Sequence, residues 1–146
     1  MSISTRQQYR LWLLIAVVVI SYLASQYNPE SASPAPQSHS VQTAYLQQQS
    51  DVQLEITGSI IRLLPDDNEG TRHQKFLVQV PSGLTILVAH NIDLAPRIKQ
   101  LQKGNNITLY GEYEWSQKGG ILHWTHHDPN GRHSDGWIDY QGRRYQ

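Results

Sequence analysis

Residues 52–60 read VQLEITGSI, and the reading of this stretch decides the fold. Val52, Leu54, Ile56 and Ile60 fall on one side of an extended backbone, with Gln53, Glu55, Thr57 and Ser59 on the other. Such period-two alternation marks a strand with one face in a core and one toward water. Gly58 interrupts the inward set and the Ile60-Ile61 pair breaks the alternation, which predicts a bulge or sharp bend. A long, bent first strand allows a small sheet to close on itself.

Downstream, PDDNEGTR (65–72) is an acidic loop rich in turn formers. HQKFLVQV then sets Phe76, Val78 and Val80 on one face, and LTILVAH sets Leu84, Ile86 and Val88 on one face. The short Pro81-Ser82-Gly83 connection joins these two strands as an antiparallel hairpin. NIDLAPRIKQL (91–101) predicts a short helix: Asp93 as cap, Pro96 in the first turn, and Leu94, Ile98 and Leu101 at helical spacing before Gly104. NITLYGEYEW alternates again with Ile107, Leu109, Tyr113 and Trp115 inward, SQKGG turns, and ILHWTHH begins the last strand. The order predicts a mainly β domain: a five-stranded barrel like the oligonucleotide/oligosaccharide-binding (OB) fold, with one short helix after strand three. The alternative is an open antiparallel sheet covered by one helix.

Upstream, LWLLIAVVVISYLA (11–24) carries no charge and follows a segment holding Arg6 and Arg10 but no acid. This is the layout of an export signal or signal anchor over residues 1–27. Fourteen helical residues span about 21 Å, short of a hydrocarbon core of roughly 30 Å, and Ser25 to Tyr27 extend the span to about 25 Å. We favour an uncleaved membrane helix, with a cleaved signal peptide as the alternative. The basic flank orients the rest of the chain away from the cytoplasm. Residues 28–50 are dominated by Pro, Ser, Ala and Gln with Glu30 as the only charge, and read as a flexible tether to a domain at 51–146.

The net charge is zero, and without residues 1–27 ten Lys and Arg face twelve Asp and Glu. That balance lacks the basic footprint of a nucleic-acid binder. With no cysteine, the domain folds without disulfides and cannot carry a lipoprotein anchor.

HWTHHDPNGRH (123–133) holds four of the seven histidines. On a straight strand His123 and His127 would stand about 13 Å apart, too far to share a metal whose ligand nitrogens lie about 2.0–2.1 Å from the ion. Asp128-Pro129-Asn130-Gly131 is a type I turn signal, and such a reversal brings its flanks together. His123, His126, His127, Asp128 and His133 are therefore the candidate ligands for zinc or another divalent transition metal. The competing reading gives these histidines hydrogen bonds that hold an irregular tail. His73 and Asp135 are the candidates for proton handling, His90 suits a core or capping role, and the acidic loop suits a solvated one. The tail residues Trp137, Ile138, Tyr140 and Tyr145 pack back on the barrel or line a pocket beside the histidines.

RHQKFLV, AHNIDLAPRI, GEYEW and HWTHHDPNGRHSDGWI together resemble a bacterial family known only as a domain of unknown function. The resemblance spans roughly residues 52–146 and implies small exported or membrane-anchored proteins, with no activity to transfer. Three functions fit. The first is a binding domain, anchored in the bacterial inner membrane and facing the periplasm (or released there after cleavage), that holds a metal or small polar ligand. The second is a metal-dependent hydrolase. The third is an envelope interaction protein with structural histidines. A monomer is expected.

Overall fold

The computed structural model describes residues 40–146. The expected membrane helix and residues 28–39 of the expected tether lie outside them. Among the described residues, no helix is long and apolar enough to cross a membrane.

The chain forms α1 (Val41–Leu46), β1 (Val52–Leu63), β2 (His73–Gln79), β3 (Thr85–Asn91), β4 (Asn106–Glu114), β5 (Ile121–His123), β6 (Trp137–Tyr140) and β7 (Arg143–Tyr145). Its sheet runs β1-β2-β3-β5-β4, and β4 returns to β1, so five strands close into a barrel. All these pairs are antiparallel except β3–β5.

β1 makes the closure, as its alternation predicts. Val52 to Ser59 pair with β4, and Ser59 to Leu63 pair with β2. The register on β2 slips between Ile60 and Arg62, which is the predicted bulge. Gly58 lies where the strand changes partner, and a Cβ there would run into the Gln79 carbonyl oxygen. The absent side chain therefore lets two backbones approach. Leu54, Ile56, Ile60, Phe76, Val78, Ile86, Val88, Ile107, Leu109, Tyr113 and Leu122 fill the interior. The Pro81–Gly83 hairpin forms as expected, with the Gly83 N–H donating to the Val80 carbonyl at 2.9 Å.

The sequence reading misplaces the helix. Residues 92–101 form successive turns, and the one helix among the described residues is α1, ahead of β1. The Asn91 side chain accepts from the N–H groups of Asp93 and Leu94, which favours a local turn over a helix. Pro96 disfavours a helical Ala95. Further on, buried Gln74 accepts from the Ile98 N–H at 2.9 Å and donates to its carbonyl at 3.1 Å. The Tyr140 hydroxyl does similar work, donating to the Gln100 carbonyl and accepting from the Gln102 N–H and Asn105 Nδ2. Side chains thus replace helical hydrogen bonds while Ile98 and Leu101 still enter the core.

α1 is capped by Ser40, whose Oγ accepts from the Thr43 N–H at 3.2 Å. Its Val41 and Ala44 belong to the core, so the folded unit begins ahead of the boundary expected at Asp51. At the other end of the chain, β6 and β7 form a hairpin through Gln141-Gly142, both with positive φ, a turn that suits the strand twist. Ile138, Tyr140 and Tyr145 pack inward, the first of the two arrangements expected for the tail.

Candidate functional site

β5 and β6 are two halves of one interrupted strand. Both pair antiparallel with β4, His123 opposite Glu112 and Trp137 opposite Tyr110. Two steps along β4 thus match fourteen along the opposing chain, so the thirteen residues 124–136 leave the sheet and return to it where one would suffice. The histidine-rich stretch is this excursion. It does not continue as a straight strand to His127, because Trp124 takes φ 51 and turns the chain out. At the neck, the Gly136 N–H donates to the His126 carbonyl at 2.9 Å. A Cβ on Gly136 would overlap the carbonyl oxygens of Trp124 and Tyr110.

Asp128 organises the tip. Its carboxylate accepts from the N–H groups of Asn130, Arg132 and His133, and these hydrogen bonds hold it below the usual carboxylate range. The Gly131 N–H closes the expected turn on the Asp128 carbonyl at 3.1 Å. Asp135 accepts from the Asp128 N–H at 2.9 Å and pairs with His127 Nδ1 at 2.9 Å, which lowers its pKa too. His126 is buried and donates Nδ1–H to the His127 carbonyl at 2.7 Å. Below the neck, buried His90 donates from Nε2 to the Pro96 carbonyl at 3.2 Å, and its Nδ1 lies 2.9 Å from Thr125 Oγ1. Burial pushes the His90 imidazole down to about 4.

The five histidine-stretch candidates therefore do not form one cluster. His126 and His127 are held within the loop, and Asp128 is occupied by backbone N–H groups. His123 and His133 converge instead on a residue that the sequence reading missed. His123 Nε2 lies 3.5 Å from Glu112 Oε1 and 3.8 Å from Glu114 Oε1, while His133 Nδ1 lies 3.5 Å from Glu112 Oε2. One potential ligand atom each from Glu112, Glu114 and His123 lies within 4.8 Å of the other two. Glu112 is the most enclosed of the group, its side chain 14% exposed, and Gln53 Nε2 approaches its Oε2 at 3.5 Å. The His133 ring stacks on Trp124 with centroids 3.9 Å apart. The signal for the two glutamates was present in GEYEW, where alternation turns both outward, but only the β4–β5 register sets Glu112 opposite His123.

An open groove of about 310 Å³ adjoins His123 and Glu114, walled by His73, Lys75 and Asp67 and floored by Ala89. His73 thus stands near the cluster, whereas Asp135 does not line this groove. The acidic loop is pinned rather than free: Asp66 pairs with Arg97, and Asp67 with Lys75. Two grooves beside Thr57 and Pro81 gather no imidazole and, of the carboxylates, only Glu55.

Residues 19–146 match the model of a family described as "Protein of unknown function (DUF3465)". The chain belongs to this family. The match takes in nearly the whole chain, including the excursion and the β6–β7 hairpin, so the tail is part of the family's domain. Among curated proteins, none matches the chain.

Proposed function

We propose that this family member is an envelope-anchored, OB-like module that binds a divalent transition metal on the outer face of its barrel. Glu112 and His123 are the central ligands, with Glu114 and His133 beside them. The observation that carries this reading is His123 Nε2. It is sealed from solvent and makes no hydrogen bond, yet it points between two carboxylates. A buried polar atom without a partner costs about 1–3 kcal/mol, a cost that a metal bond removes. Ligand atoms about 2.0–2.1 Å from a tetrahedral zinc lie about 3.3 Å from one another, close to the 3.5 and 3.8 Å found here. Imidazole and carboxylate donors suit zinc, nickel, cobalt and ferrous iron. Gln53 beside Glu112 supplies the outer support that such ligands usually have.

Anchoring rests on the uncharged run 11–24 behind Arg6 and Arg10. The barrel then stands outside the cytoplasm, at the inner membrane of a bacterial envelope. A metal-assisted hydrolase is the second reading, and one feature favours it: the groove beside His123 would leave a bound metal an open side, with His73 on its wall.

The test is metal content and titration on the full-length, untagged chain in mild detergent. About one metal per chain is expected. His123→Ala and Glu112→Gln should each weaken binding by more than the roughly 10–100-fold typical of outer-shell partners, while His127→Ala leaves it intact. A wild-type chain that retains no zinc, nickel or iron overturns the reading. For the anchor, sequencing the N-terminus of the membrane-bound protein decides between retention of the first 27 residues and cleavage.

A further inference from the structure

The outer part of the excursion, residues 127–135, has an internal scaffold but few polar links to the barrel. Asp128 and the Asp135–His127 pair brace its tip from within. Among the described residues, no hydrogen bond joins residues 127–135 to the barrel. The polar link that exists is His133 Nδ1 to Glu112 Oε2 at 3.5 Å. The His133 backbone N–H is fixed by Asp128 at 2.9 Å, and the face of its ring rests on Trp124. Trp124 is itself set by the turn that opens the excursion. This is a preorganised imidazole on a loop whose polar link to the barrel runs through that same ring.

We infer that His133 is a metal ligand delivered by the excursion, so that a divalent metal at Glu112 and His123 clasps residues 127–135 onto the barrel. This inference rests on the metal-binding reading above. Glu112, Glu114 and His123 belong to the β4–β5 pair and His133 to the loop, so the metal bonds the loop state in which His133 faces Glu112 and not the open one. A ligand shifts a conformational equilibrium by its differential affinity for the two states. The asymmetry makes the metal a fastener as well as a ligand, and apo protein is the form with a loose loop. Asp128 acts as a positioning residue in this scheme, since it holds the His133 backbone.

Arg132 supplies the probe, being an exposed trypsin site at the loop tip, one residue before His133. The full-length untagged chain in mild detergent is digested with trypsin, with zinc or with a chelator. Cleavage after Arg132 is followed by mass spectrometry, with Lys118 in the β4–β5 turn as the internal control. Proteolysis of a fast-opening segment tracks the population of its open form, so zinc should slow cleavage after Arg132 by about tenfold or more and leave Lys118 unchanged. His133→Ala should still bind zinc, more weakly, through Glu112, Glu114 and His123, and its protection at Arg132 should fall to about twofold or less. The inference fails if zinc binds wild type without protecting Arg132, or if His133→Ala is protected as well as wild type. Absence of any bound metal overturns this inference and the metal-binding reading together. Unchanged Lys118 cleavage in the variant shows that its barrel is folded.

Discussion

His90 on β3 reaches Thr125 at the neck of the excursion, Nδ1 to Oγ1 at 2.9 Å, and both side chains are fully buried. The Pro96 carbonyl can only accept, so Nε2 carries the proton and Nδ1 accepts from the Thr125 hydroxyl. One neutral imidazole thereby joins β3, the 92–101 turns and the excursion.

That neutrality makes stability depend on pH. The folded state refuses a proton at His90 until about pH 4, whereas the unfolded chain takes one near 6.5. As pH falls through this window the unfolded state binds more protons, so stability drops across it and levels off below. The gap corresponds to roughly 3 kcal/mol. Urea denaturation at steps from pH 7 to 4 should show this slope, and His90→Gln should lose most of it. Equal slopes in the two proteins would remove His90 as the cause.

Two glycines in the excursion should lose stability for different reasons and to different degrees. Gly136→Ala forces a Cβ against backbone at the neck, including the Tyr110 carbonyl oxygen at 2.6 Å, and should cost about 1–3 kcal/mol or more. Gly131 has open space around it but φ 62, so Gly131→Ala should cost only about 1–2 kcal/mol. Chemical denaturation of both variants checks the order. A harmless Gly136→Ala would mean that the neck opens easily.

Gln74 substitutes for a helix, and its loss should be felt in the 92–101 segment. Gln74→Leu keeps an apolar bulk but strands the Ile98 N–H and carbonyl, at about 1–3 kcal/mol for each group left unpaired. Hydrogen exchange at Ile98 should accelerate more than at Val78 in the barrel. Equal acceleration at both would indicate global unfolding and no local role.

Metal should stabilise the fold measurably. Free zinc at about 100 times its dissociation constant adds roughly 2.7 kcal/mol, which for a domain of this size raises Tm by on the order of 10 °C. Scanning calorimetry with zinc and with a chelator reads the difference. A shift of the same size in His123→Ala would show that the metal binds elsewhere.

How much was legible follows from how local each signal is. The β1 alternation, the Gly58 interruption and the break at Ile60-Ile61 reported a bent strand because burial on one face imposes a period of two. The Pro81–Gly83 turn and the Asp128–Gly131 turn were likewise local. The 92–101 segment misled because its apolar spacing suits a helix, while the competing hydrogen bonds come from Gln74 and Tyr140, 24 and 38–40 residues away in sequence.

The sequence by itself determined that a mainly β core forms, which face of each long strand enters it, and that a histidine-rich segment follows β5. Side-chain periodicity and turn chemistry act over a few residues, and they are written in the chain. Only the tertiary structure decided that this segment is an excursion from one interrupted strand, and that Glu112 rather than Asp128 is where His123 and His133 meet. Both depend on the register of β4 against β5 and β6, and a shift of one residue would turn Glu112 from the outer face to the core. Register is fixed by the packing of the whole barrel, and no short stretch of residues contains it.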